Sequence, residues 1–174
     1  MRRVWVLLLL AAISPLVLPQ GSAVSEAALK SALFFKLPQF VYQPDDSREQ
    51  ALQLCLLGAG GFDAAFEKLA LAPIDGRLVR FTRLSTAAEA GKCHFIFVTQ
   101  SEHQQLGAIL RVMASLPVVT VSEINGFAKA GGMVELALGA PGAPVSILIN
   151  RQAARQKNIE FNAQLLRLAK VVDP

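Results

Sequence analysis

The chain is poor in charge and in the residues that usually carry chemistry. Only 17% of its 174 residues are charged, against about 25% in ordinary soluble domains. Together with a 53% hydrophobic content, this excludes an intrinsically disordered chain, which needs low hydrophobicity and high net charge. Gly (12) and Pro (9) are sparse and aperiodic, so collagen-like and low-complexity architectures are excluded too. There are two histidines, His94 and His103, and no H-E-x-x-H or C-x-x-C spacing to hold a metal. No G-x-S-x-G elbow supports a serine hydrolase. Residues 58–61, Gly58-Ala59-Gly60-Gly61, follow a strand-like run. The third glycine of a dinucleotide fingerprint is replaced by Asp63, and no P-loop Lys follows. A tight strand-to-helix turn is the better reading. Cys93 and His94 are adjacent, so on a strand they point to opposite faces and are poorly placed to act as a nucleophile–base pair. The expectation is a protein with no catalytic residues, no cofactor and no metal.

What is present begins with an export signal. Arg2 and Arg3 precede residues 4–18, an uncharged run of 15 residues of which 13 are apolar; Pro19 breaks it, and Gly21-Ser22-Ala23 follows. This is the pattern of a secretory leader, and the run is short for a spanning helix of about 20 apolar residues. Cleavage is expected after Ala23, leaving a single domain over residues 24–174. The leader takes the only Trp, Trp5, with it. The formal net charge falls from +4 to +2, too small and too dispersed for nucleic-acid binding. Arg77, Arg80 and Arg83 recur around one strand and read as a solvated sheet edge.

The rest of the pattern predicts alternating helices and strands. Helices are expected over residues 25–41, with Ser25 as cap, Leu29, Leu33 and Leu37 as its apolar repeat and Pro38 near its end. Others are expected over 62–71, over 101–115 with Ser101 as cap, and over 151–156 and 162–169. In the helix over 101–115, Leu106, Ile109, Leu110 and Met113 share one face. Residues 43–50 read as a loop, 122–128 as a short turn or helix, and Gly131-Gly132 as a turn needing unusual dihedrals. Strands are expected over 52–57, 78–84, 94–99, 118–121, 133–138 and 145–150, the last two joined as an antiparallel hairpin by residues 139–144. Near-continuous apolar strands between helices indicate a sheet covered on both faces. The predicted fold is therefore a three-layer α/β domain with a mostly parallel sheet of about six strands, a C-terminal antiparallel hairpin and helices on both faces. A ligand crevice, if one exists, is expected at the carboxyl ends of the parallel strands.

Two cysteines in an exported chain suggest a disulfide. Cys55 lies in the first of these strands and Cys93 at the head of the third, strands that are commonly neighbours in doubly wound sheets. Closing a loop of roughly 40 residues would stabilise the fold by roughly 4 kcal/mol on the chain-entropy account. The alternative is two buried free thiols.

A set of motifs in order resembles the YfiR-like periplasmic family. They are Ala28-Leu29-Lys30-Ser31-Ala32, Phe40-Val41, Leu54-Cys55-Leu56-Leu57-Gly58, Cys93-His94-Phe95-Ile96-Phe97 and Val119-Thr120-Val121-Ser122. Further along come Phe127-Ala128, Gly131-Gly132-Met133, Ile149-Asn150 and Gln164-Leu165-Leu166-Arg167-Leu168-Ala169. Two positions depart from the family pattern: Gln43 precedes Pro44 where Trp-Pro is usual, and Pro38 replaces a helical residue. The resemblance implies a periplasmic, non-catalytic, dimeric α/β protein with Cys55 and Cys93 paired. It also implies repression of an inner-membrane diguanylate cyclase through contact with its periplasmic part, lowering cyclic-di-GMP and restraining biofilm formation. Motif positions such as Gly132, Asn150 and Leu166 read as structural, and the partner-binding residues are not identified. The competing expectation is a periplasmic small-ligand sensor or accessory protein for an outer-membrane receptor or sensor kinase.

Overall fold

The computed structural model describes residues 25–44, 51–138 and 145–173. The expected leader over 1–23, most of the expected loop over 43–50 and the hairpin connection over 139–144 lie outside the described residues. Strands β1 (Val41–Tyr42), β2 (Leu52–Leu57), β3 (Val79–Leu84), β4 (Phe95–Val98), β5 (Val119–Ser122), β6 (Val134–Ala137), β7 (Ser146–Ile149), β8 (Glu160–Phe161) and β9 (Lys170–Val171) alternate with helices. These are α1 (Glu26–Lys36), α2 (Asp63–Ala70), α3 (Leu106–Met113), α4 (Arg151–Arg155) and α5 (Ala163–Leu168). Seven strands form one sheet in the order β3-β2-β4-β5-β6-β7-β9. The first five run parallel, β7 is antiparallel to β6, and β9 is parallel to β7. β1 and β8 make a separate antiparallel pair.

The mixed, mostly parallel three-layer fold and the β6–β7 hairpin are as the sequence predicts. The hairpin does not form the sheet edge, however, because β9 adds a seventh strand outside β7. The sheet's register explains its two-faced burial. Leu52, Leu54 and Leu56 of β2, with Phe95 and Phe97 of β4, face α1, α2, α4 and α5. Cys55 and Leu57 of β2, with Ile96 and Val98 of β4, face α3 and the turn before β4. On the first face Phe34, Phe62, Phe66 and Phe97 form a ring cluster, with centroids 4.8–5.9 Å apart. That is the range in which aromatic pairs add stability beyond burial.

Local chemistry sets the helix ends. Ser25 caps α1 by accepting the Ala28 N–H, and Asn150 and Asn162 cap α4 and α5 in the same way. Pro38 follows the end of α1 and opens a 3-10 turn, Leu37–Phe40. The leucine repeat is only part of the buried face: Leu37, in the 3-10 turn, is buried and Leu33 packs against the core. Leu29 is exposed, while Lys30, Ser31, Phe34 and Phe35 are buried, because the two aromatic rings carry more apolar surface into the core than the leucines do. Ser101 does not cap a helix either. Gln100–Gln105 is a 3-10 turn preceding α3, and the Ser101 hydroxyl accepts the Ala59 N–H instead. In α3, Ile109 and Met113 are buried with Leu106 and Leu110 packed beside them, as the periodicity predicts.

Candidate functional site: the two ends of the sheet

Strand order reverses at β2, whose neighbours are β3 and β4. In doubly wound folds the carboxyl ends at such a switch point hold the ligand. Here that crevice is filled. Gly58 leaves β2 at φ +95°, and a Cβ there would fall 2.3 Å from Thr99 Oγ1 and 2.6 Å from Ser101 Oγ. Glycine is required for both dihedral and space. Thr99 and Ser101 hydroxyls lie 3.0 Å apart, and Ser101 takes up the Ala59 N–H at 2.9 Å. Arg83 closes the same loop by donating to the Gly58 carbonyl and pairing with Asp63. A phosphate would have to displace these partners and approach the Asp63 carboxylate, so the glycine loop is a tight turn, as its sequence suggests.

The neighbouring connection, residues 123–133, is equally tied down. Glu135 is buried in β6, yet its carboxylate accepts the N–H groups of Gly126 and Ala128, both at 3.1 Å. Thr120 Oγ1 accepts the Met133 N–H, and Asn150 donates to the Ala128 carbonyl while capping α4. Phe127 is buried beneath, and a Cβ on Gly132 would lie 2.1 Å from its ring. Gly131 does take φ +109°, but Gly132 is needed for this close approach and not for its dihedral. Gly132 and Asn150 are therefore structural, and Leu166 packs against the core. Glu135 escaped the sequence reading, although a lone carboxylate inside the apolar run 133–138 was the signal for it.

Lys30 ties α1 to this end. It is buried and pairs with both Glu123 and Glu26. Burial disfavours its charge, but hydrogen bonds and Coulomb attraction from Glu123 and Glu26 prevail and hold its pKa above the ordinary lysine value. Glu123 also accepts the Gln100 N–H, joining α1, the turn after β4 and the turn after β5. Lys157 donates to the Met113 carbonyl at 2.6 Å, at the end of α3, and burial pushes its pKa down.

The amino ends of the strands differ. A cleft of about 410 Å³ opens there, lined by Gln43, Gln53, Arg80, Lys92, Cys93 and His94 among others. Cys55 and Cys93 meet as a disulfide on the adjoining sheet face, with Cα atoms 6.0 Å apart and 38 residues between them in sequence. The strands that carry them, β2 and β4, are neighbours. The Cys93 sulfur is held in the bridge, and His94 is tied to Gln53. The His94 ring Nδ1 accepts the Gln53 backbone N–H at 3.0 Å, and the His94 backbone N–H donates to the Gln53 carbonyl, so His94 extends the β2–β4 ladder. His103 lies on the exposed turn before α3. Among the described residues no group of three or more His, Cys, Asp or Glu is placed to hold a metal ion. The turn Ala87–Lys92 opens with a capping box, in which Glu89 accepts the Thr86 and Ser85 N–H groups. Those bonds, the Thr86 N–H foremost, with attraction from Lys92, hold the Glu89 carboxyl below its usual pKa.

The fold recurs in solved structures. An ABC domain in complex with L-Trp from Streptococcus pneumonia aligns with a TM-score of 0.55 at 13% identity, over 84% of this chain and 60% of that one. A conserved domain protein from Vibrio cholerae aligns at 0.59 and 12% identity, with the same two coverages. A substrate-binding protein with adhesive properties from Clostridium difficile, in its ligand-free, open form, aligns at 0.52 and 10% identity, over 79% and 57%. The chain thus spans about 60% of the length of these structures, and the likeness is one of fold. No curated protein matches the chain in sequence. The YfiR/HmsC-like family matches residues 27–170, which takes in every element from α1 to the start of β9 together with both cysteines, and the chain belongs to that family.

Proposed function

We propose that this chain is a periplasmic regulator that represses an inner-membrane diguanylate cyclase by protein–protein contact and so lowers cyclic-di-GMP. The observation that carries this reading is the family match over residues 27–170; members of the family are regulators of such cyclases rather than enzymes. The fold supports it, because a sheet closed at its carboxyl end and stapled by a disulfide is a rigid body suited to docking. Repression requires that binding favour the inactive over the active state of the cyclase, since a partner shifts an equilibrium only by its differential affinity. On this reading residues 1–23 direct export and are removed after Ala23, the mature protein begins at Val24, and the working unit is a homodimer. The Cys55–Cys93 bridge gives a redox input, because reduction would loosen the docking surface.

Deleting the gene in its own host tests the reading directly. Cyclic-di-GMP should rise several-fold and return to its starting level when the full chain is restored. An unchanged level in the deletion strain would reject cyclase repression. N-terminal sequencing of the exported protein checks the leader separately: a start at Val24 is expected, and retained Met1 would remove that part.

A further inference from the structure

We propose that the cleft at the amino ends of β2, β3 and β4 binds a small oxyanion-bearing molecule, a carboxylate or a phosphate. The sheet register builds the site. Arg80 of β3 is the register partner of Gln53 of β2, and Leu54 pairs with Phe95 one residue further on, which sets Gln53 beside His94. Partners in a parallel ladder share a face and sit roughly 4.8 Å apart. A guanidinium, an amide and an imidazole thus stand in one row across three adjacent strands. Two residues further along each strand the same face turns to Thr82, Cys55 and Ile96, and beyond them to the apolar Leu84, Leu57 and Val98. The polar row lies at the margin of that core and lines the cleft.

The charge of the lining has one sign among the described residues. Arg80 and Lys92 contribute cations, and none of the described lining residues is a carboxylate. Glu89, which Lys92 attracts, already has its carboxylate held by the Thr86 and Ser85 N–H groups. Arg80 is exposed on the edge strand and makes no ion pair among the described residues. An Arg guanidinium presents a planar donor fork that matches carboxylate or phosphate oxygens in pairs. The volume falls within the roughly 300–1,000 Å³ of small-molecule sites, and Pro44, Ala51 and Pro117 offer apolar wall to the body of the molecule. Cys93 lines the same cleft, so an occupant shields that end of the disulfide from an attacking thiolate. This inference is independent of cyclase repression, because its test measures no cyclic-di-GMP and needs no partner.

Titration of the oxidised mature protein, labelled with ¹⁵N, with citrate and separately with inorganic phosphate at constant ionic strength tests the site. Saturable shifts at Gln53, Arg80, Lys92 and His94 are expected with at least one probe, and the probe that acts identifies the oxyanion. Arg80→Gln should weaken binding roughly tenfold or more, with Lys92→Gln as the second variant. Arg111→Gln, on the exposed side of α3, should leave binding unchanged. The same probe should slow dithiothreitol reduction of Cys55–Cys93 in the parent protein and not in Arg80→Gln. Linear, non-saturating shifts up to about 20 mM of both probes, or saturable shifts that persist in both Arg80→Gln and Lys92→Gln, would overturn the proposal.

Discussion

The two faces of the sheet are held by different means. On one, Phe34, Phe62, Phe66 and Phe97 pack ring against ring beneath α1 and α2. On the other, α3 covers a smaller cluster, and a covalent bridge joins β2 to the start of β4. The aromatic face depends on shape, so removing one ring leaves a void that its neighbours cannot fill. The bridged face depends on a bond, so it responds to redox chemistry to which the aromatic face is indifferent. A regulator can therefore be loosened on one side of its sheet while the other side keeps the fold.

The sharpest way to break this contrast is Phe66→Ala. Phe66 is fully buried and stacks with Phe34 at 5.1 Å, and the substitution should cost about 3–5 kcal/mol. Urea denaturation of the oxidised protein would measure it; a loss below about 1 kcal/mol would mean that the ring cluster is not the keystone of that face. Next in size is the bridge itself. Cys55→Ala with Cys93→Ala should cost about 2–4 kcal/mol. Hydrogen exchange should rise first in α3, β3 and the turn before β4, with the Phe34 and Phe97 amides still protected. Uniform acceleration across both faces would erase the distinction. The smallest effect concerns Lys30, which belongs to neither core but ties α1 to Glu123. Its folded pKa lies above the unfolded value, so the stabilisation is complete below the unfolded pKa of about 10.4. It is lost as pH rises through the folded value. The difference in urea midpoint between the parent and Lys30→Met should therefore shrink above about pH 10; a constant difference across that range would show that Lys30 contributes packing alone.

Much of the fold was legible because its strands are short apolar runs with clear ends. The expected strand over 52–57 is β2 to the residue, and Ser25 and Asn162 mark the starts of α1 and α5 as their residue types suggest. What was not legible has physical causes. β1, β8 and β9 are two residues each, too short to carry a period, and they exist because tertiary neighbours offer hydrogen-bond partners. Thr86-Ala87-Ala88-Glu89 did hold a readable capping box. The cleft could not be read from the sequence because Gln53, Arg80 and His94 are brought side by side by register alone. The fold-level rule pointed to the opposite end of the sheet, where Thr99 and Ser101 fill the space that Gly58 leaves.

The bridge also has a topological meaning. Cys55 and Cys93 close a covalent ring that contains α2, the whole of β3 and the turn before β4. Among the described residues β3 is an edge strand whose only ladder is with β2. While the ring is closed, a β3 that peels away stays tethered close to its groove and re-anneals, because a short loop keeps its effective concentration high. Once the ring is opened, a departing β3 leaves behind the bare edge of β2. That edge is a six-residue strand, apolar at Leu52, Leu54, Cys55, Leu56 and Leu57 and polar only at Gln53, a template for strand exchange with another copy. The bridge therefore guards against self-assembly as well as unfolding.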